Sequence, residues 1–169
     1  MTINLDKALN EYKKVFEDLV KFAEDRGVKI AIENCPMGGW NLAFSPSMWN
    51  VLFELIPTDH LGLNFDPSHL VWQFIDYIKA IRDFRNKIFH VHAKDTEILY
   101  DKLADGGIYS RGWWRYRIPG WGEIDWRVLI STLLESGYDF VLSIEHEDPI
   151  FSPLDGLILA SKYLNSLLP

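Results

Sequence analysis

Four short runs of this chain carry side chains able to hold a metal ion or to move a proton: IAIENCP (30–36), LGLNFDPSHLVW (61–72), IFHVHAKDTE (88–97) and LSIEHEDP (142–149). Each is apolar and then delivers a ligand-type residue, in turn Glu33, Asp66, His92 and Glu145. One carboxylate at such a position is ordinarily a helix cap or an ion-pair partner. His-x-His in an apolar run is ordinarily accidental, and a lone histidine there is a satisfied core residue. The repetition of the placement in four runs lifts the set above those readings. Three carboxylates and one imidazole make an oxygen-rich donor set. It suits Mn²⁺ or Mg²⁺, admits Co²⁺ or Zn²⁺, and does not suit Cu⁺ or an iron–sulfur cluster. Carboxylates beside a metal also serve as general bases.

The elements that must present these residues can be read from periodicity. Side chains alternate between the faces of a strand. Val28, Ile30 and Ile32 therefore oppose Ala31 and Glu33, and Leu61, Leu63 and Phe65 oppose Gly62, Asn64 and Asp66. Likewise Phe89 and Val91 oppose His90 and His92, and Phe140, Leu142 and Ile144 oppose Val141, Ser143 and Glu145. Every run has one apolar face for helices to cover and one small or polar face that ends in a ligand. The pattern predicts strands over 28–34, 61–66, 87–95 and 139–147. It predicts helices over 3–25, 45–56, 71–84, 125–137 and 153–168, with Gly27 and Gly137 as stops and Pro46 as a first helical residue. The segment 96–123, rich in glycine and aromatics, reads as one long loop. The order α-βα-βα-βα-βα implies parallel strands joined by right-handed crossovers. In a parallel barrel the C-terminal strand ends meet at one mouth, where the chemistry sits.

The 169 residues fit a single domain over 1–169, with no linker or composition shift to divide it. A net charge of −7 argues against nucleic acid or an anionic membrane as partner. One cysteine, Cys35, excludes an internal disulfide and suits a reducing compartment. No apolar run is long enough to span a bilayer, and the N-terminal stretch lacks the apolar core of a signal peptide, so a cytoplasmic location is expected.

These motifs, with WWRYRIPGWGEIDW (113–126), resemble the xylose-isomerase-like TIM-barrel superfamily of sugar and sugar phosphate isomerases and epimerases. The resemblance covers nearly the whole chain in the expected order. It implies an α/β fold, here a parallel (β/α) half-barrel of four strands corresponding to the last four βα units of the barrel. It also implies one divalent metal held by Glu33, Asp66, His92 and Glu145, and a substrate contact from His69 of the Asp-x-x-His motif. In the epimerases of this superfamily the metal chelates a carbonyl and the neighbouring hydroxyl of a sugar, and two glutamates pass the proton. Glu33 and Glu145 take those catalytic places.

Lys94 and His69 are candidates to stabilise a developing oxyanion, and Arg117 is a further substrate-binding candidate. Asp95 and Glu147 read as supporting or capping residues, and His90 as a core histidine. A keto-polyol dehydratase with the same metal site is an alternative, as is an inactive metal-binding half-barrel. An apurinic-site endonuclease of the same superfamily needs an Asp-x-His pair, which this chain lacks. Four parallel strands with one covered face leave two bare edges. A homodimer, or a complex with a complementary N-terminal half-barrel chain, is therefore expected.

Overall fold

Asn4 opens the first helix by accepting a hydrogen bond from the Lys7 amide, the usual repair for an unpaired helix N-terminus. The computed structural model describes residues 4–168. The elements are α1 (Leu5–Glu24), β1 (Ile30–Glu33), α2 (Pro46–Leu55), β2 (Leu61–Phe65), α3 (Ser68–Val71), α4 (Tyr77–Asp83), β3 (Ile88–Ala93), β4 (Asp95–Ile98), α5 (Tyr100–Gly106), β5 (Trp114–Arg117), α6 (Trp126–Glu135), β6 (Leu142–Ile144) and α7 (Pro153–Asn165). Ile3, where the periodicity starts the first helix, lies outside the described residues. Among the described residues no helix is long and apolar enough to cross a membrane.

Strands β1, β2, β3 and β6 form a four-stranded parallel sheet in that order. Within it Glu33 is registered with Asn64, and His92 with Ser143. Among the described residues β1 and β6 are its end strands. The chain thus adopts the parallel α/β order expected from alternation, in the half-barrel form that the family resemblance implies.

The chain divides into two compact units. One runs to Phe65 and adds Asn86–Phe89; the other comprises Asp66–Arg85 and the chain from His90 onward. In the first unit Val20, Ile56 and Leu61 form a core against which Tyr12, Phe16, Ile30, Ile32, Phe53 and Leu55 pack. The inward stripe of α1 is thus Tyr12, Phe16, Val20 and Ala23, while Leu5, Leu19 and Phe22 are exposed. Trp49 is fully buried, edge-on to Phe65, with its indole N–H donated to the Ala43 carbonyl.

Two readings of local structure are corrected in the second unit. The stretch 71–84 is not one helix. Phe74 takes a positive φ of 55°, and Asp76 then caps α4 by accepting from the Lys79 amide. An aspartate at that point competes with helix continuation because its side chain satisfies the orphan amides of a new start. Nor is 96–123 an irregular loop. β4 and β5 pair antiparallel, from Asp95 opposite Arg117 to Ile98 opposite Trp114, and α5 lies between them. The period-two signal of Trp114 and Tyr116 against Arg115 and Arg117 was hidden among aromatics and glycines.

Candidate metal centre

Asp66 follows β2 directly and is fully buried. The turn into α3 holds one of its oxygens: the Ser68 amide and hydroxyl donate to Oδ1 at 2.9 and 2.6 Å. That leaves Oδ2 facing His69 Nε2 at 3.3 Å, Lys94 Nζ at 3.1 Å and His92 Nδ1 at 4.0 Å. His92 reaches this point because β3 carries His90 and His92 on one face, their rings 5.7 Å apart and nearly perpendicular. Glu145 comes one residue after β6, its amide still donated to the Ala93 carbonyl, and its Oε2 lies 2.9 Å from His92 Nδ1. Asp66, His92 and Glu145 each offer one donor atom, and these lie within 4.8 Å of one another. Two carboxylate oxygens and one imidazole nitrogen at this spacing fit a divalent ion.

The electrostatics are those of a cation site. Hydrogen bonding from His92 holds the Glu145 carboxyl down at about 2 against its partial burial, with Lys94 adding to the effect. Burial pushes Asp66 upward, and His69, Lys94 and Ser68 pull against it. For Lys94, burial opposes the charge, but Asp66, Glu147 and Glu145 outweigh it and hold the ammonium above the ordinary lysine range.

The other residues singled out in the sequence are placed as follows. Glu33 ends β1 in the first unit, half-buried, where Asn41 donates to its backbone carbonyl at 2.8 Å. His69 Nδ1 meets the Tyr116 hydroxyl at 2.9 Å, and the two rings are edge to face. Tyr116 was not foreseen as part of this cluster; its alternation with Arg117 is the signal that would have found it. Arg117 is buried, with Nε donated to Asp148 at 2.7 Å and a terminal nitrogen to Glu97 at 2.6 Å. Alternation puts it on the face of β5 opposite Tyr116. Glu147 accepts from Lys94 at 2.8 Å. Asp95 accepts from the amides of Thr96, Ile124 and Gly120 and from the Trp126 indole, and so pins the segment 118–126 onto β4.

Residues 3–167 match the family described as Xylose isomerase-like TIM barrel. The chain belongs to that family. Among its relatives are the uncharacterized protein YfiH of Bacillus subtilis, 35% identical over 90% of this chain and 50% of that protein, and an inosose dehydratase of Clostridium perfringens, 30% identical over 91% of this chain and 54% of that enzyme. The chain thus spans about half the length of the curated relatives it matches. A solved structure of IOLI protein with a binding zinc atom superimposes with a TM-score of 0.73 at 24% identity, covering 99% of this chain and 58% of the other, a likeness of fold.

Proposed function

We propose that this chain carries the metal-binding and proton-transfer residues of a divalent-metal-dependent sugar or sugar phosphate isomerase or epimerase. The observation that carries the reading is the convergence of Asp66, His92 and Glu145 on one point beside a buried ammonium. Glu33 is the proposed fourth ligand: it ends β1 in register with Asn64, which shares the face of Asp66. Mn²⁺ or Mg²⁺ suits the donors, and the zinc in the IOLI structure supports Zn²⁺ as an admissible ion. Such an ion would supply Lewis-acid stabilisation of negative charge developing on a substrate oxygen.

The chain's own residues do the rest. Glu145 takes the proton from the carbon next to the carbonyl, and Glu33 returns one on the other face. The depressed Glu145 carboxyl is ionised at neutral pH, as a base must be. His69, held by Tyr116, and Lys94 orient the substrate oxygens and stabilise charge developing there. The inosose dehydratase relative supports a second outcome of the same first step, in which a neighbouring hydroxyl leaves from a keto-polyol.

The test is exchange of the substrate's carbon-bound proton in D₂O over a panel of ketoses and cyclic ketones with added Mn²⁺. Glu145→Gln abolishes exchange, because a primary amide cannot accept the proton. Unchanged exchange removes Glu145 from the role, and the products separate epimerisation from dehydration.

A further inference from the structure

Lys94 is only 1% exposed, yet it carries a charge, and its environment shows how. Its Nζ lies 3.1 Å from Asp66 Oδ2, 2.9 Å from Glu145 Oε2 and 2.8 Å from Glu147 Oε2, with the Tyr116 ring 4.5 Å away. The first two of those oxygens are the ones that face His92 Nδ1. The ammonium therefore stands on the same atoms that would bind a metal ion. Glu147 differs from the other two: its side chain is half exposed and lies outside the Asp66–His92–Glu145 group.

We propose that Lys94 is the resident counter-cation of the metal centre, holding Asp66 and Glu145 together in the ion-free protein and competing with the ion for them. The proposal rests on the metal reading above. Glu147 is the carboxylate that retains the ammonium when an ion takes the shared oxygens, so both residues are positioning residues. Buried like charges repel strongly unless a counter-charge separates them. Three carboxylates and one ammonium leave two negative charges on these four side chains, the number one divalent ion neutralises. A lysine whose task is only to touch substrate needs no such triple contact and has no effect on ion affinity.

The experiment uses the full chain, stripped with chelator, in thermal melts and in calorimetric titration with Mn²⁺. Lys94→Met lowers the melting temperature of the ion-free protein by roughly 5–10 °C, since a buried charge pair loses one side. The same variant binds Mn²⁺ at least about tenfold more tightly, because the competing cation is gone. Glu147→Gln, at a half-exposed position, folds normally and binds Mn²⁺ about tenfold more weakly, because the ammonium then stays on Asp66 and Glu145. Equal or weaker Mn²⁺ binding by Lys94→Met, with binding intact in the parent, overturns this proposal alone. If Lys94→Met does not fold, unchanged Mn²⁺ affinity in Glu147→Gln overturns it. Absence of Mn²⁺ binding in the parent and both variants overturns the metal reading and this proposal with it.

Discussion

Glu145 shows how one side chain would tie the proposed chemistry to stability. Its carboxyl is held at about 2, below its ordinary 4.5, by His92 and then Lys94 against the cost of partial burial. A carboxyl depressed in the folded state stabilises above its unfolded pKa and loses that contribution as pH falls through the folded value. The window here runs from about 4.5 down to about 2. With a third of the side chain exposed, solvent screening reduces the effect to about 1–2 kcal/mol. Urea unfolding of the ion-free protein and of Glu145→Gln at several pH values checks this. The parent's advantage is expected to be full near pH 6 and to shrink progressively below pH 4.5; a gap that widens on acidification would contradict the assignment.

Among elements, the segment that follows β5 depends on one buried carboxylate more than on its own propensities. Both oxygens of Asp95 are filled, Oδ1 by the Thr96 and Ile124 amides and Oδ2 by the Gly120 amide and the Trp126 indole. Burial pushes its carboxyl up to about 6, although all four donors favour the ionised form. Gly122 is glycine because a Cβ there would run into Asp95 Oδ1 and the Thr96 carbonyl. Asp95→Asn turns an amide NH₂ toward two of these donors. It is expected to cost about 2–4 kcal/mol, the penalty for two buried donors left unsatisfied. The fall in denaturant midpoint measures it, and an undisturbed midpoint would show that the segment is held by something else. The same scale explains Arg117: Asp148 also accepts from the Ile118 amide, so the guanidinium and the start of this segment share one anchor.

For the whole molecule, the question is what meets the ends of the sheet. The inner strand β2 is almost wholly buried, whereas β1 and β6 at the two ends contain no buried residue. α7 also exposes Leu154, Leu157, Ile158 and Leu159. Unpaired strand edges and apolar helix faces favour association. We propose that these edges pair either in a homodimer or with a complementary half-barrel chain. Light scattering at micromolar concentration is expected to give at least twice the mass of one chain for the homodimer. A monomer with cooperative unfolding, alone and beside such a partner, would refute both forms.

What the sequence by itself determined is what local rules control. Alternation along 28–34, 61–66, 87–95 and 139–147 assigns faces without knowledge of any neighbour. It therefore exposed the α/β order and put Glu33, Asp66, His92 and Glu145 at the strand ends, on the small or polar faces, before any contact was known. The helix starts at 125 and 153 rest on equally local contacts, Asp125 accepting from the Val128 amide and Ser152 from the Asp155 amide. The tertiary structure alone decided matters that depend on residues distant in the chain. Lys94 reads in the sequence as a candidate oxyanion contact; that it is a buried ammonium held among carboxylates emerges only when Glu145, 51 residues later, comes within 2.9 Å of it. Tyr116 joins His69 across 47 residues, and Arg117 is claimed by Asp148 across 31. The β4–β5 ladder likewise exists only because Asp95 and Arg117 are brought opposite one another. Periodicity reports which way a side chain faces; what it meets there is set by packing, and here packing placed an ammonium against the Asp66 and Glu145 oxygens.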